Sequence, residues 1–259
     1  MPVRPHLAFL TALALSASAL FALPGCAANS EADPNANEEG REDDYAASDF
    51  AEDSILPYAG DWLDAPRALS GIGQFDRLRG TIHDDAKCST MVAIAAAVVG
   101  GRERFITLLD RVEKLREGRR DDLAIIARVR VAIDEKKLSP RLIHELTEAI
   151  VRAYGVAHGA FDEQIRDMVR ASGYVAVKTG SKNPTVLVNS LAPREVVPLS
   201  TVAENIPHIT LLWKDARGTV RLYDSDDLHG SHVFPRGSAK YRERVEDAQS
   251  AWDLAEKYR

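Results

Sequence analysis

The apolar residues of this chain change their period at Gly173, and that change limits the architectures open to it. Between Ser89 and Ser172 they recur at three- and four-residue steps. From Gly173 to about 237 they alternate, or run in short stretches rich in β-branched residues. The two patterns put different residues on one face, so a helical period does not convert into a strand. The order predicts a helical half followed by an antiparallel sheet, an α+β arrangement.

Within the helical half, Val92, Ala95, Ala96 and Val99 share one face of a helix that Gly100 and Gly101 stop. Its many alanines predict close packing against neighbours, and so a central, buried position. Phe105, Leu108, Leu109, Val112 and Leu115 mark a second helix, and Leu123 to Ile133 a third. Ser139 as N-cap and Pro140 at the first helical position open a fourth, carried by Leu142, Leu146, Ile150 and Tyr154. Phe161, Ile165, Met168 and Val169 make a fifth. In the second half, strands are expected at 174–178 and 185–188, with turn residues between them. Residues 190–206, with Pro193 and Pro198, are expected as a loop or edge. The clearest hairpin joins 208–214 to 219–223 through a turn ending in Gly218. A short strand at 231–234 follows, and Tyr241, Val245, Ala248, Trp252 and Ala255 make 238–259 an amphipathic helix. Residues 55–80 predict an irregular wrap anchored by Tyr58, Trp62 and Phe75.

The N-terminal residues stand apart from this domain. Residues 1–25 have a short basic start and an apolar run from Leu7 to Leu23, the form of an export signal. Residues 26–54 predict a disordered tether, because ten acids between Glu31 and Asp53 stand against one Arg41. Such a segment cannot bury enough apolar surface to offset its ordering entropy. A single domain is expected over 55–259. Charges of both signs are mixed along 55–259, and no basic stripe with aromatics is present, which argues against nucleic-acid binding.

Three residues have the chemistry of a nucleophilic site. Cys88 ends a polar loop and opens the alanine-rich helix, where the positive end of the helix dipole favours a thiolate. His208 opens the first strand of the hairpin, and Asp224 follows the second. An antiparallel hairpin brings the start of one strand beside the end of the next, so the two are neighbours by topology. A thiol needs a base within hydrogen-bond reach, and the base needs an orienting partner. His144 and His158 sit in the helical half with no carboxylate pattern around them. His229 and His232, with Asp226, Asp227 or His83, offer metal-binding residue types. No helix aligns the two rings, and a turn beside a strand is the simpler reading. No metal or cofactor is expected.

Two resemblances follow from these residues. Leu23-Pro-Gly-Cys26 resembles the lipobox of bacterial lipoproteins. That likeness implies acylation of Cys26, removal of residues 1–25 and attachment to the membrane at the periplasmic or outer-membrane face, with Ala27 pointing to the outer membrane. With Cys26 acylated, Cys88 is expected to be a free thiol. Second, a cysteine at a helix N-terminus, a helical block, a histidine at a strand start and an aspartate after the next strand together resemble the papain-like fold. The likeness is to C39-like bacterial cysteine peptidases in particular, and it covers residues 83–100 and 205–228. It implies that Cys88 is the nucleophile, His208 the general base and acid, and Asp224 the orienter. A peptide or peptidoglycan-type amide would be the substrate. Transglutaminase-like proteins share the order with a shorter cysteine-to-histidine spacing than the 120 positions here. Such families carry a glutamine just before the cysteine; here the nearest is Gln74, with His83, Asp84 and Asp85 closer. Backbone N–H groups at the helix start are the alternative oxyanion donors. A non-catalytic envelope scaffold, with Cys88 as core and His208 as a strand-end residue, is the competing expectation.

Overall fold

A computed structural model of the chain describes residues 53–73, 87–157, 160–203, 206–225, 231–246 and 255–259. The expected signal, Cys26, nearly all of the tether, Gln74, His83, Asp84, Asp85, His158, Asp226, Asp227 and His229 lie outside the described residues. The chain makes a small hairpin, β1 (Tyr58–Ala59) and β2 (Trp62–Leu63), then a short helix, α1 (Ala65–Ser70). Five helices follow: α2 (Cys88–Gly100), α3 (Arg102–Leu115), α4 (Arg120–Asp134), α5 (Pro140–Tyr154) and α6 (Asp162–Ala171). After them come β3 (Ala176–Val177), α7 (Pro184–Asn189), β4 (Val196–Ala203), β5 (Ile206–Lys214), β6 (Val220–Tyr223) and β7 (Val233–Pro235). The chain closes with α8 (Ala239–Tyr241), a π-helical turn at Arg242–Glu246, and β8 (Lys257–Tyr258). Helices thus precede an antiparallel sheet, an α+β fold.

Helix α2 is the hub, since all of its residues are buried. Its alanines let neighbours approach closely, and it packs against α3, α5, α6 and β5. The start of α5 is capped as its sequence implies: the Ser139 side chain accepts from the Leu142 N–H, and Pro140 occupies the first turn. Gly155 ends that helix at φ 65°, a left-handed conformation that glycine adopts without strain.

The main sheet runs β3-β8-β4-β5-β6-β7, every pair antiparallel. The two faces of β5 serve different cores. Ile209, Leu211 and Trp213 join the large core around α2, together with Tyr223 of β6. Leu212 and Leu222 join a second core with Leu187, Tyr241 and Val245, under α7, α8 and the π-turn. The β5–β6 connection is tied by Asp215, whose Oδ1 accepts from the N–H groups of Arg217 and Thr219, while Gly218 takes φ 82°.

Three expectations are corrected. Residues 185–188 are helical: Asn183 caps α7 by accepting from the Thr185 and Val186 N–H groups, and Pro184 follows at the first turn. The stretch expected as loop or edge contains β4, paired with β5 along its whole length. Pro198 is tolerated because β4 meets β8 only at Val196, which leaves the strand open on that side. The C-terminal segment is not one helix. Its last residues enter the sheet as β8 between β3 and β4, with Tyr258 fully buried.

Candidate active site

His208 and Asp224 meet. The imidazole Nε2 lies 2.7 Å from Asp224 Oδ1, and both residues are buried. The register explains it: Leu211 pairs with Tyr223, so Asp224 falls beside Thr210, one step along the same face of β5 as His208. A carboxylate only accepts, so Nε2 carries the proton in this contact. The other carboxylate oxygen, Oδ2, accepts from Arg244 Nε at 3.0 Å. Burial pushes the Asp224 carboxyl upward, but His208, Arg244 and Lys240 outweigh it and hold it well below the usual carboxylate range.

A second histidine stands behind the pair. His232 Nδ1 lies 3.2 Å from the Asp224 carbonyl oxygen, to which it donates, and the Asp224 N–H donates to the His232 carbonyl. The ring rests on Gly73: a Cβ there would lie 2.1 Å from His232 Nε2. A side chain at position 73 would therefore have to displace the buried His232 ring. Tyr223 Oη donates to the Ile72 carbonyl, fastening the same segment to the end of β6. Gly73→Ala is expected to cost about 1–3 kcal/mol, the usual range for overpacking a filled site. Urea unfolding measures it, and an unchanged midpoint would contradict the packing described.

Cys88 is the first residue of α2, and is fully buried. The direction of α2 follows from its far end, where Tyr174 Oη lies 3.1 Å from the Ala96 carbonyl and 3.0 Å from that of Arg194. Arg194 leads into β4 at Val196, which pairs with Trp213 near the end of β5. From Ala96 back to Cys88 the helix extends roughly 12 Å at 1.5 Å per residue. His208 lies roughly 17 Å back from Trp213 at 3.4 Å per residue. Helix α2 and strand β5 pack against one another, so Cys88 and His208 belong to two elements in contact. Their faces differ: His208 alternates with Ile209, Leu211 and Trp213, and so turns to the side of the sheet opposite the body of α2. Just before the cysteine, Lys87 Nζ lies 2.8 Å from Glu148 Oε1, an ion pair between a buried lysine and a half-buried glutamate that ties the start of α2 to α5.

The free thiol expected at Cys88 is corrected. Cys88 is disulfide-bonded. The sequence has one other cysteine, Cys26, which lies outside the described residues. A sulfur held in a disulfide neither ionises nor attacks a carbonyl, so this form is inactive as a thiol.

Arg244 was invisible to the sequence reading. It arrives from a turn 20 positions beyond Asp224, and no local motif marks it. His232, a weak metal-ligand candidate beside a strand turn, instead serves the backbone of Asp224 with its ring. Among the described residues no group of three or more His, Cys, Asp or Glu side chains is placed to hold a metal ion. Among them, too, no helix is long and apolar enough to cross a membrane. No protein-family model, curated protein or solved structure matches the chain.

Proposed function

We propose that the protein is a thiol hydrolase, a peptidase or amidase of papain-like arrangement, with Cys88, His208 and Asp224 as its triad. The observation that carries the reading is the short, buried His208–Asp224 hydrogen bond on the strand that packs against the Cys88 helix. In the reduced protein His208 Nδ1 takes the thiol proton, and the thiolate attacks the amide carbonyl carbon. The tetrahedral adduct collapses with cleavage of the C–N bond, and the amine leaves with the proton from His208. Water then attacks the thioester and gives its proton to His208, releasing the acid and restoring the thiol. Backbone N–H groups at the start of α2 are the candidate oxyanion donors.

The lipobox-like sequence supports attachment to the bacterial envelope through Cys26. Acylation puts the Cys26 sulfur in a thioether, which cannot also pair with another cysteine. Lipidation and a free Cys88 therefore belong to one form of the protein. Peptidoglycan stem peptides are within reach of such an anchor, so their amides are the substrate class. The test is release of new amino groups from stem-peptide amides by the reduced protein. Activity lost in Cys88→Ala supports the reading, and equal activity in that variant overturns it.

A second reading has its own observations. The disulfide at Cys88, its complete burial and the opposite facing of His208 suit a non-catalytic scaffold in which the buried pairs only hold the fold. That reading expects no hydrolysis in any form of the protein.

A further inference from the structure

Asp224 is held from two sides by groups of unlike origin. His208 reaches Oδ1 from β5, and Arg244 reaches Oδ2 from the π-helical turn. The arginine uses Nε for this contact, while its Nη1 lies 3.5 Å from Glu243 Oε1. The turn itself is fixed, because Tyr241 and Val245 on either side of Arg244 are buried in the second core with Leu212 and Leu222. π-Turns recur at functional sites because the extra residue redirects a side chain. Here the redirected side chain meets a carboxylate that has no exposed surface.

We propose that Arg244 is a positioning residue: its Nε–H fixes the rotation of the Asp224 carboxylate, and through it the tautomer and orientation of His208. This rests on the thiol-hydrolase reading for its catalytic consequence, but the positioning itself does not. With Oδ2 anchored by Arg244, Oδ1 is turned to the imidazole, and its hydrogen bond keeps the proton on Nε2. Without the anchor, the carboxylate gains rotational freedom and the imidazole loses its fixed partner. Arg244 touches neither thiol nor substrate in this scheme.

The chemistry singles out which substitutions are conservative. In arginine the fourth atom beyond Cα is Nε. In glutamine the fourth is Nε2, also an N–H donor, whereas in methionine and lysine a carbon stands there. Arg244→Gln thus keeps the hydrogen bond and drops the charge. Arg244→Lys keeps the charge and drops the bond at that point, and Arg244→Met drops both.

The experiment uses the full chain after reduction and reads two signals in each variant. The first is the downfield proton resonance of His208 Nε2–H, whose exchange with water reports the hydrogen bond to Asp224. The second is the rate of Cys88 alkylation by iodoacetamide. Wild type and Arg244→Gln are expected to show the resonance with exchange rates within about threefold of each other. In Arg244→Met and Arg244→Lys, exchange should accelerate at least about tenfold and alkylation should slow by a similar factor. Should Arg244→Met not fold, the comparison of the Gln and Lys variants decides alone. A resonance kept in the Lys variant and lost in the Gln variant overturns the proposal, since charge rather than the Nε bond would then matter. A resonance unchanged in all three also overturns it. If the resonance behaves as expected while Cys88 is inert even in wild type, the positioning stands and the hydrolase reading fails.

Discussion

Replacing His208 with glutamine is expected to lower amide hydrolysis by the reduced protein about 10²–10⁴-fold, the usual contribution of a positioned general acid–base. Glutamine is the informative choice because its amide N–H can still donate to Asp224 Oδ1, so the loss isolates the missing base from a missing structural partner. With Nε2 bonded to Asp224, the proposed mechanism assigns the thiol proton to Nδ1. Combining His208→Gln with Cys88→Ala should cost little beyond either change alone, because residues that act as a unit are not additive. Initial rates on a stem-peptide amide measure both effects. A fully additive double variant would mean that the two residues work independently.

Asp224→Ala carries the largest expected loss of stability, about 3–5 kcal/mol, the range for removing one partner from a buried ion pair. The carboxylate is completely buried, and its loss leaves both the Arg244 guanidinium and the His208 imidazole without their acceptor. Asp224→Asn is expected to fall between. Its Oδ1 can still accept from His208, but its NH₂ then faces Arg244 Nε, donor against donor. The pH dependence has a definite sign. The folded-state pKa of Asp224 is depressed, because His208, Arg244 and Lys240 overcome the opposing effect of burial. Its stabilisation is therefore fully present above the unfolded-state value of about 3.9 and is lost as the pH falls below that toward the folded value. The stability gap between wild type and Asp224→Ala, measured by urea unfolding, should narrow between neutral pH and about pH 3. A gap that stays constant would show that the carboxylate is not held ionised by its partners.

The parts of the fold that were legible are those fixed by local chemistry. The Ser139–Pro140 start, the Gly218 turn and the alanine-rich central helix each depend on a few neighbouring residues, and the structure has them all. The hairpin also placed Asp224 beside His208, because antiparallel pairing with a short turn leaves little freedom of register. Thr185–Val188 misled because a four-residue apolar run fits a strand or a buried helical turn equally well. The Asn183-Pro184 pair was the signal that decides it. The strand β4 was hidden by Pro198, and β8 by an amphipathic spacing that continued past the π-turn. Arg244 and His232 depend on long-range packing, the first from the far side of the sheet and the second against Gly73. The facing of His208 away from the body of α2 could be read only once β5 had been placed between two cores.

The most direct measurement is the rate of Cys88 alkylation by iodoacetamide against pH, in the reduced protein and in its His208→Gln variant. A thiolate stabilised by His208 and by the start of its helix predicts a half-maximal rate well below the free-thiol value of about 8.5 in wild type, returning toward that value in the variant. A Cys88 that stays inert until the protein is unfolded, or that reacts with the same pH profile in both proteins, would contradict the account.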